Sequence, residues 1–384
     1  RQARKRLVKR QRKSCGIMHK SLYNKKILLY TGYQSTPWNP DSFAKRGMGG
    51  TETAIYNLSQ QLSKLGYKVI VGGDVIEGEY DGVLYAKNNT LHKEFSKEHF
   101  RCIIGASYIH FIEEFSKFNY DKSFLCIHNT ESTGGWWYDW WTKGDLSGRS
   151  MELLSSSKLT SIICLTNWHK EKFCKSFPEL SSKVKIIGNG FNPDLIPQDL
   201  TKVPRSFIYS SHPERGLRLL LSKWHLIKEK KSDATLNVCT PEYGIKQFKE
   251  IQGEFSNLSS HGVNFIGQID QSSLYNLIAK SDYWLYPTNY EETYCITALE
   301  MQAMKTSVIT TNFSALKDTV SNRGVLIEPE PDEDIFFAQF LNNFLYLNHS
   351  IPEKNKIVER AFEWSKNQTW FHRAQTWSNL IEFN

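Results

Sequence analysis

Residues 265–312 have the sequence FIGQIDQSSLYNLIAKSDYWLYPTNYEETYCITALEMQAMKTSVITTN. Short apolar runs alternate here with segments of helical periodicity, which predicts a strand, a helix, a strand, a loop, a helix and a strand, as in a parallel α/β sheet. Glu292 in the loop and Glu300 in the helix are separated by seven residues, so we expect them about two turns apart on one face. Because ligands of open α/β sheets bind beyond the carboxyl ends of the strands, both carboxylates are predicted to face one cleft.

The same alternation extends through the rest of the chain. A first series of strands is predicted at KKILLYTGY, KVIVGG, GVLYA, RCIIGAS, SFLCIHN, SIICLTN and KVKIIGN, between residues 25 and 189. A second series is predicted at SFIYSSH, TLNVCT, VNFIG, DYWLYPT, SVITT and GVLIEP, between residues 206 and 329. The segment between the two series contains prolines and no sustained period, so we place a hinge near 195–204.

Two α/β domains are expected because 384 residues exceed the usual size of one hydrophobic core. We predict Rossmann-like domains over 25–200 and 201–361, preceded by a basic arm over 1–24. The last segment, 362–384, is predicted to be helical. Its Trp residues favour packing against a neighbouring element, so we expect it to complete the first domain.

The composition is that of a soluble globular protein, with 40% hydrophobic and 23% charged residues and no apolar run near the ~18 residues of a membrane span. The seven cysteines lack CxxC spacing and several lie in predicted strands, which favours reduced, buried thiols. The basic start is followed by no apolar segment of a secretory signal. We therefore expect a cytoplasmic protein, with peripheral association with a membrane as the alternative.

The net charge of +8 is concentrated in the opening RQARKRLVKRQRK, and the remainder is near neutral. The body of the chain is therefore not expected to form a nucleic-acid surface. A basic arm of this kind binds a membrane surface, nucleic acid or another chain, or it is a solvated tail or a linker from a longer polypeptide. These alternatives stay open, and we assign the arm no catalytic role.

The acidic pair, in its order of strands and helices, resembles the E-x7-E motif of retaining GT-B glycosyltransferases of the glycogen-synthase-like, family 4-like group. The motif occurs here as Glu292-Thr-Tyr-Cys-Ile-Thr-Ala-Leu-Glu300, and the resemblance covers most of 25–380. It implies a GT-B fold, in which two Rossmann-like domains face each other across a cleft. It also implies that Glu300 binds the ribose of a nucleoside diphosphate sugar and that Glu292 contacts the transferred sugar. A charged helix face is the structural alternative.

The donor loop departs from the family pattern, which usually has Gly at the positions of Cys295 and Lys305 and Pro at that of Ser307. These departures concern the geometry of the loop, because Cys adopts a positive φ less easily than Gly. The resemblance implies that backbone amides of this loop face the donor phosphates. The residues concerned are Thr293, Tyr294, Cys295 and Ile296.

The segment SSHPERGLRLLL, residues 210–221, resembles the basic donor-phosphate segment of the same family. The resemblance implies that Arg215 binds the diphosphate and neutralises the leaving group. The family often has a second Arg where this chain has Ser210, so Arg218 is our candidate for a second cation. The alternative is that Arg215 caps a surface helix.

The first domain supplies further candidates. Gly49 and Gly50 precede a predicted helix, whose amides favour anions, although the run is neither a P-loop nor a dinucleotide fingerprint. The resemblance implies that this glycine pair faces the donor phosphates. It also implies that His128 hydrogen-bonds near the donor sugar, and it matches Asn189 to an Asn-Gly turn before the hinge. Plain turns and a core histidine are the alternatives.

The loop ESTGGWWYDWWTKGDLSGRS, residues 131–150, combines clustered aromatic side chains with polar ones and follows His128 directly. Exposed aromatic rings stack on sugars or on the apolar part of an acceptor, so we predict an acceptor-side role; a local hydrophobic lid is the alternative. The residues concerned are Trp136, Trp137, Trp140 and Trp141.

We expect neither a metal nor a cofactor, because the sequence has no clustered Cys and His set. Asp332-Glu333-Asp334 matches the D-x-D of other glycosyltransferases. It precedes a predicted helix, however, and Asp332 is therefore predicted to be its N-cap.

These features favour metal-independent transfer of a hexosyl group from a nucleoside diphosphate sugar to a carbohydrate, glycan or other hydroxylated acceptor. Retention of configuration is implied by the resemblance alone. A nucleotide-sugar epimerase or phosphorylase of the same architecture is one alternative. A non-catalytic module that binds nucleic acid or membrane through the basic arm is another.

Overall fold

The fold consists of two α/β domains, seen in a computed structural model that describes residues 25–33, 36–45, 48–130, 151–241 and 244–383. The strands of the first domain are β1 Lys26–Tyr30, β2 Lys68–Gly72, β3 Gly78–Tyr80, β4 Val83–Ala86, β5 His99–Ala106, β6 Asn119–Cys126, β7 Ser161–Cys164 and β8 Val184–Ile186. Those of the second are β9 Val203–Ser210, β10 Thr235–Cys239, β11 Val263–Gly267, β12 Ser281–Tyr286, β13 Ser307–Thr311 and β14 Val325–Ile327. The predicted α/β class is confirmed.

The strand orders are β3-β4-β2-β1-β5-β6-β7-β8 in the first sheet and β11-β10-β9-β12-β13-β14 in the second. Strand pairs in the described residues are parallel, except that β3 runs antiparallel to β4 at the edge of the first sheet. The sequence did not predict β3. It is three residues long, partly exposed and polar, and it has no hydrophobic alternation to reveal it.

Helices connect most of the parallel strands, because a connection between parallel strands must cross back along the sheet. In the first domain they are α1 Pro40–Lys45, α2 Gly50–Lys64, α3 Asn88–Thr90, α4 Phe111–Glu114, α5 Met151–Ser155 and α6 Asn167–Ser176. In the second they are α7 Leu217–Ser222, α8 Trp224–Lys230, α9 Ile245–Glu254, α10 Gln271–Lys280, α11 Ile296–Ala303, α12 Leu316–Thr319, α13 Glu333–His349 and α14 Ile351–Ser365, after which α15 Trp370–Phe383 follows.

Strand β1 shows how the first sheet is buried on both faces. Its sequence KILLY is a continuous apolar run rather than an alternating one, as expected for a parallel sheet covered on both sides. Ile27 and Leu29 belong to one hydrophobic cluster, whereas Leu28 and Tyr30 belong to another. Because side chains alternate along a strand, the two clusters lie on opposite faces of the sheet.

The C-terminal helical segment is divided. Helix α14 ends at Ser365 and packs against α11 and α13 of the second domain. Helix α15 begins at Trp370 and packs against α2 of the first domain, where the Trp377 ring lies 5.7 Å from the Phe124 ring. The return to the first domain therefore begins at Gln368, whose carbonyl accepts a hydrogen bond of 3.2 Å from the backbone N–H of Phe191, and not at 362 as predicted. Helical periodicity alone did not reveal the break at 366–369.

Candidate active site

A cleft between the two sheets is lined by segments that follow the carboxyl ends of strands in both domains. From the first domain the lining residues are Met48, Gly50, Thr53, His128, Asn129, Leu165 and Asn189. From the second they are Ser210, Ser211, His212, Arg215, Cys239, Thr240, Pro241, Ile269, Gln271, Leu274 and residues 290–297 with Glu300. This edge of a parallel sheet is where ligands of open α/β folds bind.

Glu292 and Arg215 meet in this cleft. The guanidinium Nη1 of Arg215 donates a hydrogen bond of 3.1 Å to Oε1 of Glu292, and Tyr286 Oη donates one of 2.8 Å to the same oxygen. The ring of Tyr290 lies 3.8 Å from the Arg215 guanidinium carbon, a cation–π contact. Backbone N–H of Glu292 donates to Ser314 Oγ at 3.0 Å. In this structure the guanidinium is therefore paired with the carboxylate.

Glu300 lies in α11 and is 5% exposed. Its Oε1 accepts a hydrogen bond of 2.8 Å from Tyr275 Oη and one of 3.4 Å from Gln271 Nε2. Burial raises the pKa of Glu300 to about 7, and the two hydrogen bonds act in the opposite direction because they favour the carboxylate. Near neutral pH this group is therefore close to its titration midpoint.

The donor loop turns into α11 at Cys295, whose φ is 65° and ψ 82°. A positive φ at a residue other than Gly costs free energy, and the same holds at Lys305, where φ is 59°. These are two positions at which the resembled family has Gly. Residues 293–296 line the cleft at the start of the helix, where backbone N–H groups and the helix dipole favour an anion.

Hydrogen bonds from the first domain hold this loop. Thr166 Oγ1 donates to the backbone carbonyl of Thr293 at 3.2 Å, and Thr293 Oγ1 donates to the carbonyl of His128 at 3.1 Å. Arg373 of α15 donates to Tyr294 Oη at 3.2 Å. The position of the loop therefore depends on both domains.

His128 lies just beyond the end of β6, partly exposed in the cleft. Its backbone N–H donates to Ser107 Oγ at 2.9 Å, and its Nε2 is 3.4 Å from the Sγ of Cys126. Loss of solvent and the neighbouring His169 lower the pKa of His128 to about 4. The imidazole is therefore neutral near pH 7, which suits hydrogen bonding to a hydroxyl group.

The glycine pair lies at the start of α2. Gly49 is the N-cap residue, and Gly50 lines the cleft. A Cβ added at Gly50 would meet no atom within 4 Å, so the protein itself does not require Gly there. Asn189 also lines the cleft, and its backbone carbonyl accepts a hydrogen bond of 2.8 Å from Arg373 Nε.

Comparison with solved structures identifies the fold. A glycosyltransferase from Rickettsia africae superposes with a TM-score of 0.68 at 17% identity, covering 94% of this chain and 98% of that one. The structure of Anabaena HepE in complex with UDP-glucose superposes with a TM-score of 0.66 at 14% identity, covering 93% and 99%. This chain has the GT-B fold of glycosyltransferases.

The sequence of this chain also matches one protein family and one relative. The family described as "Glycosyl transferases group 1" matches residues 206–343, the greater part of the second domain. An uncharacterized glycosyltransferase of Methanocaldococcus jannaschii is 23% identical over 260 residues, 62% of this chain. The match spans 65% of that relative's length, just under two thirds. Both matches are to glycosyltransferases.

Most of the candidate site residues predicted from the sequence line this cleft. Lining residues among them are His128, Asn189, Gly50, Arg215, Thr293, Tyr294, Cys295, Ile296, Glu292 and Glu300. Gly49 lies next to the lining. Trp136, Trp137, Trp140 and Trp141 lie outside the described residues, as does the arm over 1–24, and their roles stay predictions.

Two predictions outside the cleft have definite outcomes. The prediction that Arg218 is a second donor-site cation was wrong. Arg218 lies on α7, outside the cleft lining, and forms an ion pair with Glu254. Arg215 lies in the turn before the N-cap residue Gly216, whereas Arg218 lies within α7, so the two side chains belong to different local structures. The N-cap prediction is confirmed, since Asp332 Oδ1 accepts hydrogen bonds of 2.9 Å from the N–H groups of Asp334 and Ile335.

Four residues that contact the site glutamates or Arg215 were not predicted from the sequence: Gln271 and Tyr290 line the cleft, and Tyr275 and Tyr286 are buried behind it. Tyr286 and Tyr290 contact Glu292 and Arg215, and Tyr275 and Gln271 contact Glu300. The sequence carries one weak signal for them: Tyr275 and Tyr286 are polar-tipped residues in otherwise apolar runs, and a buried tyrosine hydroxyl usually has a partner.

Proposed function

We propose that this protein transfers a hexosyl group from a nucleoside diphosphate sugar to a hydroxyl group of an acceptor, with retention of anomeric configuration. The observation that carries the proposal is the convergence of Arg215, Glu292 and Glu300 in one cleft, beside the start of a helix. A cation beside a helix N-terminus suits a diphosphate, and the two carboxylates suit the hydroxyl groups of a sugar and of a ribose.

In the proposed reaction, the bond between the sugar C1 and the diphosphate oxygen breaks, and a bond from C1 to the acceptor oxygen forms on the same face. The acceptor proton passes to the departing diphosphate. Arg215 leaves its hydrogen bond with Glu292 and binds the diphosphate, whose growing charge the amides of residues 293–296 also stabilise. Glu292 then faces the sugar, and Glu300 binds the ribose hydroxyls.

The donor is proposed to be a uridine diphosphate hexose, which is supported by the fold shared with HepE, whose structure holds UDP-glucose. We also propose that turnover needs no divalent metal. Two carboxylates of the D-x-D sequence have other partners, because Asp332 caps α13 and Asp334 pairs with Lys223. The acceptor is proposed to be a carbohydrate, glycan or other hydroxylated compound.

The direct test is incubation with the glucose, galactose and mannose esters of uridine, adenosine and guanosine diphosphates, with a panel of sugar acceptors. Formation of a new glycoside with the donor's anomeric configuration, read by proton NMR, is the expected result, and its yield should survive EDTA. An isomerised nucleotide sugar or a sugar 1-phosphate would identify an epimerase or a phosphorylase instead. Activity that is lost on chelation and restored by Mn²⁺ would contradict metal independence.

Arg215 offers a matched pair of variants. Arg215→Gln removes the cation and should lower kcat by about a hundredfold, as loss of a charged transition-state contact does. Arg218→Gln removes a cation three residues away, outside the cleft lining, and should leave kcat unchanged. Equal effects of the two changes would mean that general surface charge, and not the position of Arg215, supports turnover.

A further inference from the structure

Each glutamate of the cleft is held by one buried tyrosine. Tyr275 Oη donates to Glu300 Oε1 at 2.8 Å, and Tyr286 Oη donates to Glu292 Oε1 at 2.8 Å. Both tyrosines are fully buried. Tyr275 lies in α10 and Tyr286 at the end of β12, so two different elements each provide a tyrosine that hydrogen-bonds to a glutamate.

The second donor to each carboxylate binds the same oxygen. Gln271 Nε2 lies 3.4 Å from Glu300 Oε1, and Arg215 Nη1 lies 3.1 Å from Glu292 Oε1. Within the described ranges, Oε2 of neither glutamate has a hydrogen-bond partner, and neither Oε2 is a fully buried atom. Because both residues line the cleft, each carboxylate has one oxygen fixed by the protein and one turned toward the open space.

We propose that Tyr275 and Tyr286 are positioning residues, each of which anchors Oε1 of its glutamate so that Oε2 is presented to the donor. This rests on the proposed function, with Tyr275 acting on the ribose side and Tyr286 on the sugar side. The terminal torsion of a glutamate is broad, so a carboxylate without an anchor samples many orientations. A supporting hydrogen bond of this kind fixes the group that touches the ligand.

Loss of the Tyr275 hydroxyl should change the pH dependence of nucleotide binding, whereas a loss of packing alone should not. Glu300 is faced by Tyr275 and Gln271 of α10 and by the Cys295 thiol at the start of its own helix. The hydrogen bond from Tyr275 lowers the pKa of Glu300, against the effect of burial. Tyr275→Phe removes that bond, so the pKa rises further above its ordinary value. The pH at which a ribose-binding carboxylate is half ionised should therefore move upward.

The test compares Tyr275→Phe and Tyr286→Phe with Tyr283→Phe. Tyr283 is a matched control because it is equally buried, lies in the same strand as Tyr286, and has a hydroxyl without a hydrogen-bond partner in the described structure. Calorimetry with UDP, ADP and GDP from pH 6 to 9 gives nucleotide affinity, and turnover of the matching diphosphoglucose gives kcat.

We expect Tyr275→Phe to weaken the tightest-binding nucleotide about tenfold at pH 7, as loss of a hydrogen bond to a charged group does, and to move its pH midpoint upward. Tyr286→Phe should keep nucleotide affinity and lower kcat about tenfold. Tyr283→Phe should change neither. Gln271→Leu removes the longer hydrogen bond to Glu300 and should shift affinity less, in the same direction as Tyr275→Phe.

Two failures are distinguishable. If the wild-type chain binds none of the three nucleotides, the proposed function fails and the inference fails with it. If the wild type binds but Tyr275→Phe and Gln271→Leu keep its affinity and its pH midpoint, the positioning role is overturned and the proposed function stands. A loss of affinity equal in Tyr275→Phe and Tyr283→Phe, without a pH shift, also overturns it, because that is the result of packing alone.

Discussion

Replacing Glu300 with Gln should make the protein more stable and less able to bind nucleotide. Burial raises the pKa of Glu300 from 4.5 to about 7, so the folded state binds this proton more tightly than the unfolded state. The stabilisation from the protonated carboxyl is complete below pH 4.5 and is lost as the pH rises through 7. Above that pH, the buried carboxylate costs roughly 3 kcal/mol.

Gln has the shape of the protonated carboxyl and does not ionise. At pH 8, Glu300→Gln should therefore raise the free energy of unfolding by up to roughly 3 kcal/mol, an increase in Tm on the order of 5–10 °C. At pH 5 the wild type is already protonated, and most of the gain should disappear. The amide oxygen still accepts the hydrogen bond from Tyr275, so the local packing is kept.

Nucleotide binding should change in the opposite direction. A carboxylate that accepts hydrogen bonds from ribose hydroxyls contributes about 1.5–3 kcal/mol more than a neutral group that lacks the charge, so Kd should rise at least tenfold at pH 8. Nucleoside diphosphate and nucleotide sugar should be weakened alike, because both contain the ribose.

Thermal unfolding at pH 5 and pH 8 and calorimetry at pH 8 measure these effects. Glu250→Gln, which changes an exposed glutamate of the same domain, is the control for a general loss of negative charge. An equal change of Tm at both pH values would show that the pKa of Glu300 is not raised. Nucleotide binding by the variant equal to that of the wild type would show that the Glu300 carboxylate does not bind the ribose.

Three further changes test other parts of the site. Glu292→Gln should lower kcat about a hundredfold and leave Kd for nucleoside diphosphate within a factor of about three, since its contact belongs to the transferred sugar; loss of both would reassign it to the nucleotide. Gly50→Ala should leave Tm unchanged, because a Cβ at this position meets no atom within 4 Å. It should weaken donor binding, measured by calorimetry, because the donor phosphates are expected to approach this backbone. Lys305→Gly should raise the free energy of unfolding by about 1 kcal/mol, because Gly adopts the positive φ of this position without strain, whereas Lys305→Ala should not raise it. Equal Tm values for the two variants would show that the backbone at Lys305 is not strained.

The class of fold and the two glutamates of the site could be predicted because they depend on local sequence patterns. The apolar runs give the strands, and a helix that starts a few residues after β12 necessarily places Glu292 and Glu300 at the same sheet edge. His128 also follows the carboxyl end of a strand, β6, but its role was implied by the family resemblance. Residues that follow strand ends are the ones that sequence patterns reveal.

Contacts between distant segments were not predictable in this way. Tyr275 reaches Glu300 across 25 positions, and Thr293 contacts His128 across 165. Neither pair has a periodic or motif signal, because each depends on how two elements pack. The side chain of Arg218 shows the same limit: its charge suited the donor site, but the direction of α7 takes it to Glu254.

The donor loop shows why missing glycines do not exclude a phosphate-binding conformation. Cys295 and Lys305 have φ values of 65° and 59°, which cost roughly 1–2 kcal/mol each. Tertiary contacts offset this: the Cys295 side chain packs in the core of the second domain, Thr319 Oγ1 donates to the carbonyl of Tyr294, and Thr293 is hydrogen-bonded to the first domain. The loop is therefore shaped by its surroundings more than by its own sequence. Because part of those surroundings belongs to the first domain, any movement of one domain against the other must also act on the amides that we expect to bind the donor phosphates.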